Sequence, residues 1–252
     1  MSSVAVDNGF PDSPLRDERF NVVDTWDQCA NFPDGDPSKV LEFLHRQMNE
    51  EMDATECSAR AIVDFPDAPW ELRMFLARQC ADEARHALIF ARMFQARGGK
   101  FGDYPILNFQ YQIICQIPTL IGRLAVQNRT FEAEGIDAIG YGIDEARAQG
   151  DEELAEFFDG QFADEIMHVR CANEFIHEIL AKDPRQAMKV AQALSFATKA
   201  FAQVVGGDGV AVAKYTISET GRLEAGFRPE EVKVASQLAE DRRENALARK
   251  NA

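Results

Sequence analysis

Two four-residue strings, Glu83-Ala84-Arg85-His86 and Glu165-Ile166-Met167-His168, each set a carboxylate and an imidazole three residues apart. On an α-helix that spacing puts both side chains on one face about one turn apart, so each pair can grip a single ion. Two such helices, plus a lone glutamate from each of two more, make the ligand set of a carboxylate-bridged two-metal helical bundle. The lone glutamates are present at matched spacing. Glu51 stands 32 residues before Glu83, and Glu132 stands 33 before Glu165. The half-to-half offset is 81 for the lone glutamates and 82 for the other ligands. The chain therefore reads as a duplicated helical hairpin, with Glu51, Glu83, His86, Glu132, Glu165 and His168 as candidate metal ligands.

The elements that must carry these residues have matching starts. Pro37, Pro69, Pro118 and Asp151 look like helix N-termini, proline being tolerated in the first turn, and each lies 14 residues before one of the four glutamates. At 1.5 Å per residue every ligand then sits about 21 Å into its helix, at one level.

All four histidines follow a glutamate by three residues, so the motif alone is weak. Helical phase separates true pairs from decoys. Glu174 comes nine residues after Glu165, about 900° of rotation, and points the opposite way. Its neighbours Arg170 and Glu178 mark a solvated face. Glu165 shares its face with Phe158, Phe162, Val169, Ala172 and Ile176. Glu83 falls in line with Leu76, Ala87 and Phe90, and Glu51 with Leu44, Met48 and Thr55. Carboxylates on apolar stripes need partners, and metal cations supply them. The pairs Glu42–His45 and Glu174–His177 are expected on solvated surface.

Composition bounds the rest. The 252 residues suffice for a sizeable core and resemble a soluble globular protein, with 18 Phe against 4 Tyr. A net charge of −15 argues against nucleic acid, and no apolar run reaches the length of a membrane span. Five cysteines, an odd number without paired spacing, suggest reduced thiols and a cytoplasmic setting. Residues 1–36 read as an irregular arm lacking the pattern of a secretory signal. The bundle is expected over 37–181 and a helical extension packed on it over 182–252. In detail, the pattern predicts helices over about 37–64, 69–97, 118–135, 151–181 and 184–204. A crossover fills 100–117, with Leu107–Ile117 also compatible with helix, and a glycine-bearing linker with at most a short helix at 144–149 fills 135–150. The region 208–226 is ambiguous, its stretch Val210–Ala213 fitting strand or helix, and Pro229–Lys250 reads as a surface helix.

A carboxylate/imidazole set favours iron, with manganese or a mixed Mn/Fe pair also compatible. Two irons a few ångströms apart can each give one electron to O₂ as co-substrate. Asp82 and Asp164 are candidates to accept the free ring N–H of a ligand histidine and fix its tautomer. Arg129, one turn before Glu132, suits a ligand or substrate carboxylate, or a surface acid. Arg85 is a second candidate cation for an anionic substrate. Glu50, Glu56 and Glu134 are spare acids nearby. Cys57, Cys80 and Cys171 are expected to be inert buried thiols. Phe90, Phe131, Phe158 and Phe162 are candidate walls of the site, or plain core.

The paired Glu and Glu-x-x-His set resembles the ferritin-like di-iron superfamily. Asp82-Glu83-Ala84-Arg85-His86 also resembles the D-E-x-R-H signature of di-iron monooxygenases, although the second copy has Met167 in place of the arginine. Arg123-Leu124-Ala125, Glu132-Ala133-Glu134-Gly135-Ile136-Asp137, Gly150-Asp151 and Asp164-Glu165 with His168-Val169 resemble a ferritin-like family of uncharacterised function, over roughly residues 40–180. The resemblance implies an all-α fold, a ferritin-like four-helix bundle with additional C-terminal helices and an irregular N-terminal arm. The function expected is a non-haem di-iron oxygenase or oxidase acting on a small organic substrate, in a biosynthetic pathway for example. An electron donor and a homodimer are compatible partners. The alternatives are a ferroxidase or iron-storage protein and a tRNA-modifying hydroxylase, the latter disfavoured by the acidic surface.

Overall fold

The computed structural model describes residues 14–33, 35–205 and 216–250. Among them the chain is all-helical, with no strand and one isolated parallel bridge, Val22 to Ile106. It divides into two compact units, Met1–Arg123 with Leu194–Asp208 and Leu124–Ala193 with Gly209–Ala252. No helix is long and apolar enough to cross a membrane among the described residues.

The first unit is built on a hairpin of α1 (Pro37–Asp64) and α2 (Trp70–Ala96). Asp36 caps α1 by accepting the Ser38 N–H at 2.8 Å, with Pro37 in the first turn. At the far end of α2, Gly98 takes φ 91°, open to glycine without strain, and the Gly99 N–H turns back to the Phe94 carbonyl. Leu44, Cys57 and Ala61 of α1 and Leu72, Leu76, Phe90 and Phe94 of α2 are buried. Each large side chain among them contributes about 1.5–3 kcal/mol by leaving water. A short helix, α3 (Phe109–Ile114), packs on α1 inside the predicted crossover. Residues 14–33 are packed rather than loose: Arg16 reaches α1, and Asn21 and Val23 pair with the backbone of Ile106.

The second unit corrects one expectation. From Leu120 to Ala148 the backbone is helical throughout: α4 (Leu120–Val126), a π-helical turn (Gln127–Glu132) and α5 (Ala133–Ala148). There is no linker at 135–150. Glycine inside a helix costs about 1 kcal/mol relative to alanine, but packing outweighs it here. Ile136 is fully buried in a cluster with Ala133, Ile166, Val169 and Ala225. At Gly142 a Cβ would come within 3.0 Å of the Phe158 ring, so the glycine lets α5 and α6 approach. The helix α6 (Glu152–Lys182) starts where Asp151 accepts the Leu154 N–H.

Beyond a 3₁₀ turn at Pro184–Gln186 come α7 (Ala187–Val205), α8 (Glu219–Glu224) and α9 (Pro229–Lys250). Of the ambiguous region 208–226, Val210–Ala213 lies outside the described residues, and Glu219–Glu224 is helix.

Candidate metal centre

In the first unit α1 delivers Glu51 and α2 delivers Glu83 and His86, all buried. One donor atom from each lies within 4.8 Å of the others. The ring Nδ1 of His86 is 3.2 Å from Glu83 Oε2 and 3.4 Å from Glu51 Oε2. One turn earlier on α2, the buried Gln79 donates its amide N–H to Glu83 Oε1 at 3.1 Å and holds that carboxylate in place.

The second unit repeats the arrangement with Glu132, Glu165 and His168, again buried and again within 4.8 Å of one another. His168 Nδ1 lies 3.2 Å from Glu165 Oε2, matching the first unit. What differs is the backbone under the lone glutamate. Glu132 is the last residue of the π turn, where the Thr130 hydroxyl donates to the Ala125 carbonyl at 3.0 Å. A π turn places one extra residue in the helix and rotates the residues after it by about 100° relative to an α-helix. Asn128, in the same turn, donates to the His168 carbonyl at 3.5 Å and ties the turn to α6.

The donor chemistry of each trio fits a metal ion. Two carboxylates converge on one imidazole, which brings at most one positive charge to two negative ones. Buried carboxylates cost several kcal/mol unless their charge is met, and a divalent or trivalent cation meets it. Oxygen donors with one imidazole suit a hard or borderline metal. Either trio can hold an ion.

The other predicted residues separate. Asp82 is bound by Arg78 and Arg85 on its own helix, each at 3.3 Å, and Arg85 is half exposed. Asp164 is half-buried. Arg129 takes the surface-acid option: it pairs with Glu231 of α9 and stacks over Phe227. Glu50 pairs with Arg46, Glu56 pairs with Arg16, and Glu134 is exposed. Phe90 and Phe158 are buried, Phe131 is half-buried, and Phe162 packs in the Ile136 cluster as core. All five cysteines are thiols; Cys57 is buried, whereas Cys80 and Cys171 are half-buried.

Of the decoy pairs, Glu174 and His177 are exposed as expected. Glu42 and His45 are not solvated surface. Both are buried, because segments distant in sequence cover that face of α1. Phe20, Phe94 and Tyr104 pack around the His45 ring, and its Nε2 accepts the Gly102 N–H at 3.0 Å. Burial pushes the imidazole down to about 4.

Two features of the site, the glutamines and the π turn, are not singled out by the ligand pattern. A signal for the glutamines is nevertheless present. Gln79 and Gln161 both stand four residues before a motif glutamate, at the same half-to-half offset of 82, and both are buried. The repeat is therefore Gln-x-x-x-Glu-x-x-His.

No curated protein and no solved structure matches the chain. A family match does, over residues 2–233, so it takes in the arm and most of the C-terminal extension as well as the 40–180 stretch that carries the resemblance. With this coverage, the chain belongs to the family described as protein of unknown function (DUF455).

Proposed function

We propose that this chain is a ferritin-like, non-haem di-iron protein that uses O₂ to oxidise a small organic molecule. The observation that carries the reading is the duplicated, buried Glu, Glu-x-x-His trio, one in each hairpin, with its donor atoms within 4.8 Å. Glu51, Glu83 and His86 would hold one ion, and Glu132, Glu165 and His168 the other. An iron pair of this type supplies the two electrons with which O₂ is activated toward a C–H or N–H bond. The chain's own residues then bind, orient and shield. Gln79 fixes the rotation of the Glu83 carboxylate through its amide N–H. Leu44, Met48, Leu76, Ala87 and Phe90, all buried on the ligand-bearing helices, keep bulk water from the first trio. A small-molecule substrate and an electron donor are the partners this reading calls for.

Anaerobic Fe(II) titration followed by O₂ tests it, with candidate organic compounds present and the reaction followed optically. The expected outcome is uptake of about two irons per chain and an oxidation whose rate responds to one of the compounds. Catalytic Fe(II) oxidation into a mineral core, with no response to any compound, makes the protein a ferroxidase. Absence of any reaction with O₂ removes both redox readings.

A further inference from the structure

In the first unit α2 is apolar on two sides. Its inner side buries Leu72, Leu76, Phe90 and Phe94 and packs on α1. On its outer side Trp70, Met74, Ala77, Ala81, Ala84 and Leu88 follow one another at steps of four, three, four, three and four residues. That is the heptad spacing with which one helix lines up apolar side chains against another. Trp70 is 67% exposed, Met74 47% and Leu88 58%. Ala77 and Ala81 are exposed as well, and Ala84 is half-buried. The stripe runs for about 27 Å along the helix, and no charged residue interrupts it. A helix with one neighbour normally turns charge outward, and one that is apolar all round is normally buried all round.

The duplication supplies an internal control. At the same half-to-half offset of 82, the positions of Trp70, Met74, Ala77 and Leu88 are taken in α6 by Glu152, Glu156, Asp159 and Arg170. The three acids are exposed. The equivalent helix of the second hairpin therefore does without an apolar outer face, so the stripe on α2 is not a requirement of the hairpin. Contiguous exposed apolar surface of this kind marks an interaction site.

Two features of the stripe say what covers it. Its spacing is symmetrical about position 79, so a second α2 running the other way sets Trp70 opposite Leu88, Met74 opposite Ala84 and Ala77 opposite Ala81. Small residues in the middle let the two helices approach, and the large ones fill the ends. The second feature is charge. Glu71, Arg78 and Arg85 follow Trp70, Ala77 and Ala84 along one edge of the stripe. In the reversed pairing Glu71 of each copy comes within one helical turn of Arg85 of the other, an attraction made twice by the two-fold axis. Arg78 meets its own counterpart near the axis, but Asp82, 3.3 Å from it on the same helix, offsets that charge. A parallel pairing would instead stack Trp70 on Trp70 and set Arg73 beside Arg78, like against like.

We propose that two copies of this chain pair along the outer face of α2, antiparallel about a two-fold axis level with position 79. Trp70 and Leu88 anchor the two ends of the contact, and the Glu71–Arg85 pairs fix its direction. Glu83 and His86 lie on the buried side of the same helix, so the pairing is independent of metal and of the proposed oxidation.

Sedimentation equilibrium of the full chain over a wide concentration range tests the proposal. The expected wild-type result is a monomer–dimer equilibrium. Trp70→Glu should raise the dissociation constant at least about tenfold, the scale of losing a buried tryptophan anchor. Glu71→Arg and Arg85→Glu should each weaken the dimer at low salt, and less so at high salt. An equimolar mixture of those two variants should dimerise again, because each reversed charge then faces an opposite one. A wild-type chain that stays monomeric overturns the proposal, including one that instead sediments with vesicles of phosphatidylcholine and phosphatidylserine. A dimer that Trp70→Glu leaves unchanged overturns it too, as does a mixture that associates no better than either variant alone. If Trp70→Glu loses helix by circular dichroism, the wild-type measurement and the mixture decide.

Discussion

The hairpin α1–α2 and the hairpin formed by α5 and α6 present the same donors on different supports. In the first, regular α-helix runs straight through Glu51, and the outer face of α1 is covered by the N-terminal arm. Arg16 binds Asn49, Asp53 and Glu56 there, and Phe20 lies on His45. In the second, the helix passes through a π turn at Glu132, and the cover comes from the other end of the chain. Arg222 of α8 binds Asp137 of α5, Asn173 of α6 binds the Ala225 carbonyl, and Arg129 binds Glu231. The donor geometry repeats, with an imidazole nitrogen 3.2 Å from the motif carboxylate in each hairpin. The outer faces need only be buried, so unrelated segments serve.

The largest expected effect tests whether the two trios are equivalent. After anaerobic Fe(II) loading, Glu83→Ala and His168→Ala should each lose at least one of about two ions per chain, read by elemental analysis. Full occupancy in both would mean that the donors are misassigned. Next comes the cover of the second hairpin. Asp137→Ala leaves Arg222 buried without its carboxylate and should cost about 3–5 kcal/mol in urea unfolding. A cost below about 1 kcal/mol, the range of an ordinary surface pair, would show that α8 does not hold α5.

The cover of the first hairpin should announce itself through pH. His45 titrates at about 4 in the folded chain against 6.5 unfolded, so between those values the unfolded state binds more protons. The stability that neutral His45 contributes is complete above pH 6.5 and is lost as pH falls toward 4, up to about 3 kcal/mol. His45→Gln, uncharged throughout and still able to accept the Gly102 N–H, should lack that component of the wild-type slope while keeping its metal. Parallel slopes for the two proteins would refute the assignment.

A smaller effect is expected at the π turn. Thr130→Val removes the hydroxyl bond to Ala125 and should cost about 1 kcal/mol; an unchanged urea midpoint would leave the turn to packing alone. The smallest belongs to His177→Ala on the exposed face of α6, with metal content unchanged and stability within about 0.5 kcal/mol. Loss of metal there would break the phase argument that distinguishes Glu174–His177 from Glu165–His168.

Local features are the ones legible in the sequence. Asp36-Pro37, Gly98-Gly99 and Asp151 mark helix ends through bonds made within a few residues, and the helices end where those signals stand. The two Glu-x-x-His pairs stand out for the same reason, since i, i+3 spacing is a property of one helix, and the internal duplication then picks out Glu51 and Glu132. Sequence pattern fails where distant chain decides. The phase of α1 cannot reveal that Phe20 and Tyr104 close over His45. Gly140 and Gly142 look like a linker until Phe158 is seen against α5. The π turn carries the Thr130 hydroxyl bond and the Asn128 bond to α6, and neither leaves a periodic trace.

The Arg16 clasp has a practical consequence for where this chain can be cut. Its side chain is 7% exposed and spans Asn49, Asp53 and Glu56, so one guanidinium serves two acids on a buried stretch of α1. A truncation beginning at α1, or a protease nick within the arm, removes that cation and leaves Asp53 and Glu56 side by side without it. The loss would be felt at Asn49 too, two residues from Glu51, where Arg16 holds the amide oxygen at 2.7 Å. Trimming the arm therefore alters charge inside the hairpin that carries the first trio, and a fragment's metal affinity would not stand for that of the whole chain.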